Sequence, residues 1–133
     1  MELKALTVNL MVDDVQRSVD FYNKNFGFEV LATVPGEDEL IFAMIKCDFV
    51  TIMLQSMRSF AEANPEYKNA AVGGTILLYI DVSGIRLYYE KVKKAGIPLV
   101  KDLHETFYGT TEFCFKDPDG YLVSFAEDKS EPA

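Results

Sequence analysis

Val12-Asp13-Asp14-Val15-Gln16-Arg17-Ser18-Val19-Asp20-Phe21-Tyr22-Asn23-Lys24-Asn25-Phe26-Gly27 is the stretch that decides the fold. An alternating pattern stops at Val12 and a helical one begins, with Val15, Val19, Tyr22 and Phe26 on one stripe. Asp14 stands where a carboxylate can cap the first turn, and Gly27 where a left-handed residue can close the last. Upstream, residues 6–12 alternate as a strand, with Thr7, Asn9 and Met11 on one face and Val8, Leu10 and Val12 on the other. Downstream, strands are expected over 28–34, 40–46 and 49–55, with turns at Pro35-Gly36-Glu37-Asp38-Glu39 and Cys47-Asp48. The first half therefore reads strand, helix, strand, strand, strand.

The second half repeats the order. After a helical connector over 58–64, ended by Asn64-Pro65, a strand is expected over 75–82. A helix over 85–95 follows, with Ile85, Tyr88, Tyr89 and Val92 inward and Gly96 at its end. Strands over 99–103, 111–116 and 121–126 complete it, the last two joined by Asp117-Pro118-Asp119-Gly120. Val12 maps onto Val82, Gly27 onto Gly96 and Lys46 onto Lys116, at offsets of 70, 69 and 70 residues. Three markers in register indicate a tandem duplication. The expected organisation is one domain over 1–133: a βαβββ module over 5–57, a connector over 58–74 and a second module over 75–127. Residues 129–133 are expected to be a frayed polar end. Each module alone can bury only one face of its sheet. Paired halves, within one chain or between two, give an α+β protein: an incomplete barrel with helices outside and a cleft within.

Thirteen basic against twenty-one acidic residues give a net charge of −8. That balance excludes a nucleic-acid backbone as partner and suits a cationic small ligand. The chain has no run apolar enough to span a membrane, and Met1-Glu2-Leu3-Lys4-Ala5-Leu6 lacks the core of a signal peptide. Cys47 and Cys114 are the only cysteines and read as buried thiols of a reducing compartment. A cytoplasmic location is expected.

Val12-Asp13-Asp14-Val15, Ser18, Phe21-Tyr22 and Phe26-Gly27-Phe28 resemble the opening of the vicinal oxygen chelate superfamily, which includes glyoxalase I, extradiol dioxygenases, and the fosfomycin- and bleomycin-resistance proteins. Tyr108-Gly109, Glu112-Phe113, Asp117-Pro118-Asp119-Gly120-Tyr121-Leu122 and Phe125-Ala126-Glu127 resemble its closing hairpin. The likeness covers residues 5–127 and leans towards the metal-free bleomycin-resistance branch through Tyr108-Gly109 and Glu112-Phe113. One fold carries many activities, so the resemblance speaks to architecture before chemistry.

The superfamily's enzymes hold a divalent metal on the first and last strands of each half. Carried over by motif, those positions are Thr7, Met53, Leu77 and Ser124. A thioether, an alkyl group and two hydroxyls are poor ligands for such an ion. A slip of one residue offers only apolar side chains, and His104 is the single histidine. No metal or other cofactor is expected. Ser18, Thr7 and Ser124 have no neighbouring base or oxyanion motif, so a hydrolase triad has no support.

The expected cleft lining is Thr7, Asn9, Met11, Met53, Gln55, Leu77, Tyr79 and Ser124, with hydrogen bonds from Asn9, Gln55, Tyr79 and Ser124. Glu112 is either a partner for a cation or a solvated strand residue. Phe113 joins the cleft if the last hairpin has a two-residue turn pairing it with Ser124, and is core otherwise. Cys114, on the opposite face, reads as a small core residue, and His104 as a surface histidine. The expected function is metal-independent binding, as in drug sequestration, of a small, partly apolar, cationic molecule by a homodimer. The alternatives are a glyoxalase-type lyase or dioxygenase with displaced metal ligands, an enzyme using Glu112 and Tyr79 for proton transfer, and a structural or regulatory domain whose cleft is vestigial.

Overall fold

The carboxylate of Asp14 accepts a hydrogen bond from the Arg17 N–H at 3.0 Å, and the first helix starts behind it. That helix, α1 (Val15–Phe26), ends at Gly27, whose φ of +76° lets its N–H turn back to the Asn23 carbonyl. Gly96, at φ +71°, closes the equivalent helix of the second half by donating to the Lys93 carbonyl. The two glycines aligned in the sequence therefore do the same conformational work.

The structure is a computed structural model and describes residues 1–129. The chain divides into two compact units, Met1–Val72 and a second beginning at Gly73. The first contains β1 (Val8–Val12), α1, β2 (Glu29–Pro35), β3 (Leu40–Cys47) and β4 (Val50–Ser56). Its sheet has the order β1-β4-β3-β2, with β1 parallel to β4 and the other pairs antiparallel. α2 (Met57–Ala63), capped by the Ser56 hydroxyl, and a 3₁₀ turn at Pro65–Tyr67 complete the unit. Much of the expected connector thus belongs to it. The second unit has β5 (Leu77–Asp81), α3 (Ile85–Lys94), β6 (Leu99–Glu105), β7 (Thr110–Lys116) and β8 (Leu122–Asp128), in the order β5-β8-β7-β6. Both units are βαβββ with the same strand order, and the protein is α+β. Among the described residues no helix is long and apolar enough to cross a membrane.

Each core lies where the helix covers one face of the sheet. In the first unit Leu10, Val12, Ala43, Ile45, Ile52 and Leu54 are buried with Val15, Val19, Tyr22 and Phe26 of α1, which packs on β3 and β4. In the second, Phe113, Phe115, Val123 and Phe125 are buried with Ile85 and Val92 of α3. Tyr88 stacks edge-on to Phe125 at 5.2 Å and Tyr89 to Phe113 at 5.4 Å. Burial of each such side chain contributes about 1.5–3 kcal/mol.

The structure departs from the sequence reading in three places that bear on function. β1 begins at Val8, leaving Thr7 exposed ahead of the ladder and outside the strand face expected for it. Alternation shows which face a residue could take, whereas a ladder ends where its partner stops pairing. β6 extends to Glu105, so His104 is a half-buried ladder residue opposite Glu112. The last hairpin has a three-residue tip, Pro118-Asp119-Gly120, with Asp117 N–H bonded to the Tyr121 carbonyl at 2.9 Å. Asp117 Oδ1 accepts from the Asp119 and Tyr121 N–H groups, and Gly120 takes φ +90°. One residue more than the two-residue turn shifts the register to Phe113↔Phe125 and Cys114↔Ser124. A shift of one exchanges the two faces of a strand. Phe113 is consequently fully buried in the helix-covered core and is not a candidate binding residue. Residues 130–133 of the expected frayed end lie outside the described residues.

Candidate functional site

The register that buries Phe113 turns Glu112 to the sheet face opposite α3. Ladder partners there are Tyr79, Ser124 and Cys114 in one row and Asp81, Ala126 and Glu112 in the next. Tyr79 reaches diagonally between the rows, and its hydroxyl donates to Glu112 Oε2 at 2.5 Å. Thr110, two residues before Glu112 on β7, donates to the same oxygen at 2.8 Å. Tyr108, in the β6–β7 loop, adds a third bond there at 3.0 Å. The loop is tied by a Thr106–Thr110 hydroxyl pair at 2.8 Å and by the Thr106 N–H on the Thr110 carbonyl at 2.9 Å.

Glu112 is only 6% exposed, so it is not a solvated strand residue. Burial pushes its carboxyl pKa up, but the hydrogen bonds from Tyr79, Thr110 and Tyr108, with the nearby His104, outweigh burial and hold it below the ordinary value. The bond to Glu112, with some desolvation, pushes the Tyr79 phenol up to about 12. The proton therefore belongs firmly to the tyrosine and the charge to the carboxylate. A pair held so far apart is poorly matched to proton transfer near neutrality, where a general base works best with a pKa near the working pH.

Leu77 and Tyr79 are about half exposed on this face, at 50% and 49%, while Ser124, beside Tyr79 in the ladder, is buried. The first unit keeps Asn9, Met11, Met53 and Gln55, but not Thr7, together on the sheet face opposite α1. Asn9 pairs with Met53 and Met11 with Gln55 across β1 and β4. Met44 and Phe42 extend the same rows on β3. The Asn9 amide donates to Gln55 Oε1 at 3.1 Å, and Gln55 donates to the Ser59 hydroxyl at 3.2 Å.

Tyr108, Thr110, Phe42 and Met44 are not among the site residues expected from the sequence. Tyr108, Thr110 and Glu112 stand at every second position, a period that could have marked the first two as companions of the carboxylate. Met44 and Phe42 needed the β3–β4 register.

A family profile described as the glyoxalase/bleomycin resistance protein/dioxygenase superfamily matches residues 4–125. The chain belongs to that superfamily. A bleomycin resistance protein of Geobacillus stearothermophilus is 30% identical over 124 residues, covering 87% of this chain and 90% of the relative. Among solved structures, a glyoxalase/bleomycin resistance protein/dioxygenase from Nocardioides aligns with a TM-score of 0.77 at 20% identity, covering 99% of this chain and 88% of the other. TnmS3, an antibiotic binding protein from Streptomyces sp. CB03234, aligns with a TM-score of 0.73 at 17% identity, covering 96% and 98%. These two structures share the fold with this chain.

Superfamily enzymes use a divalent metal, and the donor set here does not fit one. Thr7, Met53, Leu77 and Ser124 supply no imidazole or carboxylate. Among the described residues no group of three or more His, Cys, Asp or Glu side chains is placed to hold a metal ion.

Proposed function

We propose that this member of the superfamily binds small, partly apolar cations and holds them without a metal. One observation carries the reading: Glu112 is a nearly buried carboxylate whose three donors are all neutral hydroxyls, flanked by half-exposed tyrosine rings. A buried carboxylate normally acquires a cationic partner, because desolvating the charge alone is costly. Here the hydroxyls, with His104 opposite it in the ladder, keep it ionised, and no Lys or Arg among the described residues forms an ion pair with it. A bound cation would supply the missing charge and meet aromatic surface beside it. The net charge of −8 favours approach of the same class of ligand. Relatives named for bleomycin resistance and a structural neighbour named for antibiotic binding support a drug-sized ligand.

Thermal-shift screening with matched cationic and anionic aromatic compounds tests the reading. Cations should raise the unfolding midpoint, with about 2.7 kcal/mol of stabilisation at a hundredfold excess over Kd. Shifts by anions alone would overturn it.

The same reading includes a cytoplasmic homodimer. Cys47 and Cys114 are free thiols, and edge strand β2 leaves Val30, Leu31 and Val34 about half exposed, an apolar strip of the kind interfaces cover. Light scattering should report twice the chain mass of 15.0 kDa. A monomer at micromolar concentration would count against the dimer.

A further inference from the structure

We infer that the Glu112 site selects cations that carry few or no N–H donors, such as methylated ammonium and alkylated heteroaromatic groups, with Tyr79, Tyr108 and Phe107 as its aromatic walls. The inference rests on the reading of Glu112 as a cation site and names the class of cation.

The argument starts from acceptor capacity. An ionised carboxylate offers about four lone-pair sites over two oxygens. Tyr79, Thr110 and Tyr108 all donate to Oε2, at 2.5, 2.8 and 3.0 Å, which exhausts that oxygen. Oε1 receives no donor among the described residues. A guanidinium binds a carboxylate best through two parallel N–H bonds, one to each oxygen, and that geometry is blocked. A primary ammonium brings three donors. With Oε1 as the open acceptor, it leaves the others unmatched on entering a partly desolvated site. A methylated ammonium has no such requirement. It responds to the negative charge and to the ring faces, and its methyl groups gain from apolar burial.

The rings are present and open. Tyr79 is 49% and Tyr108 56% exposed, although both hydroxyls are anchored on one oxygen. A phenol that donates to a carboxylate gains electron density in its ring, which strengthens attraction for a cation. Phe107, at the tip of the β6–β7 loop, is fully exposed and stands edge-on to Tyr108 with centroids 5.0 Å apart. A phenylalanine there contributes nothing to a core. The Thr106–Thr110 ties hold the loop, and Gly109 at φ +92° sets its turn, so the aromatic pair is presented before a ligand arrives.

Calorimetry on the full chain, with 3-phenylpropyl compounds bearing trimethylammonium, primary ammonium, guanidinium or neutral tert-butyl head groups, tests the inference. The trimethylammonium compound should bind about tenfold tighter than the primary ammonium and guanidinium compounds. Tyr79→Phe combined with Tyr108→Phe keeps both rings and leaves Thr110 as the one hydroxyl donor to Oε2, which frees a lone pair there, so the double variant should narrow the preference for trimethylammonium over primary ammonium by about threefold or more. Phe107→Ala should weaken the trimethylammonium compound about threefold or more and the primary ammonium compound less. Equal or tighter binding of primary ammonium or guanidinium, or an unchanged ratio in the Tyr79→Phe, Tyr108→Phe double variant, would overturn the inference while the cation site stands. If no charged compound binds tighter than the neutral one, the cation reading itself fails, and the inference with it.

Discussion

Glu112→Gln is expected to weaken binding of aromatic cations by about 10- to 100-fold, because it removes the charge and keeps an acceptor for the three hydroxyls. Neutral analogues should be affected far less, and titration calorimetry on both proteins separates the two effects. The pH dependence follows from the depressed carboxyl. A group whose folded pKa is lowered keeps its charge above that pKa and loses it as pH falls through it. The advantage of the parent protein over Glu112→Gln should therefore persist from neutrality down to about pH 5. It should close only below 4.5, the ordinary value for this carboxyl. Tyr79, with its phenol pushed up to about 12, remains a donor throughout that range. An advantage that vanished between neutrality and pH 5 would mean that the carboxylate is not held as described.

Phe113→Ala is expected to destabilise the protein by about 3–5 kcal/mol, the usual cost of emptying a fully buried aromatic position. Phe113 is completely buried, with ring contacts to Tyr89, Phe125 and Phe115 at 5.4, 5.6 and 6.1 Å. Urea unfolding measures the loss. Phe113→Leu, a milder change, should cost less and retain cation affinity, because the ring lies on the helix side of the sheet. A Phe113→Ala variant with parental stability and lost affinity would put the side chain on the binding face instead.

This contrast marks the border between local and tertiary information. The helix bounded by Asp14 and Gly27, its counterpart ended by Gly96, and the strands between turns were legible because capping, period and turn chemistry act within a few residues. The duplication was legible because both copies kept those punctuation marks in register. The non-ligand character of Thr7, Met53, Leu77 and Ser124 was likewise plain from residue type. Glu112 could be singled out, but its surroundings could not. Whether it met water, a cation or three hydroxyls depended on the tip of one hairpin. Asp117-Pro118-Asp119-Gly120 fits a two-residue turn or, with Tyr121, a three-residue tip. Both use proline, aspartate and glycine in permitted conformations, so local propensity separates them weakly. The choice falls to the core: the observed register puts Phe113, Phe115 and Phe125 on the face covered by α3. The repeated βαβββ order and the helix ends follow from local residue patterns, and residue type alone shows that no ligand group stands at the positions the family resemblance assigns. Tertiary packing alone decided that Tyr79, Tyr108 and Thr110 meet on one oxygen of Glu112, because burying three phenylalanines selects a register, and a register assigns every side chain of a strand to its face at once.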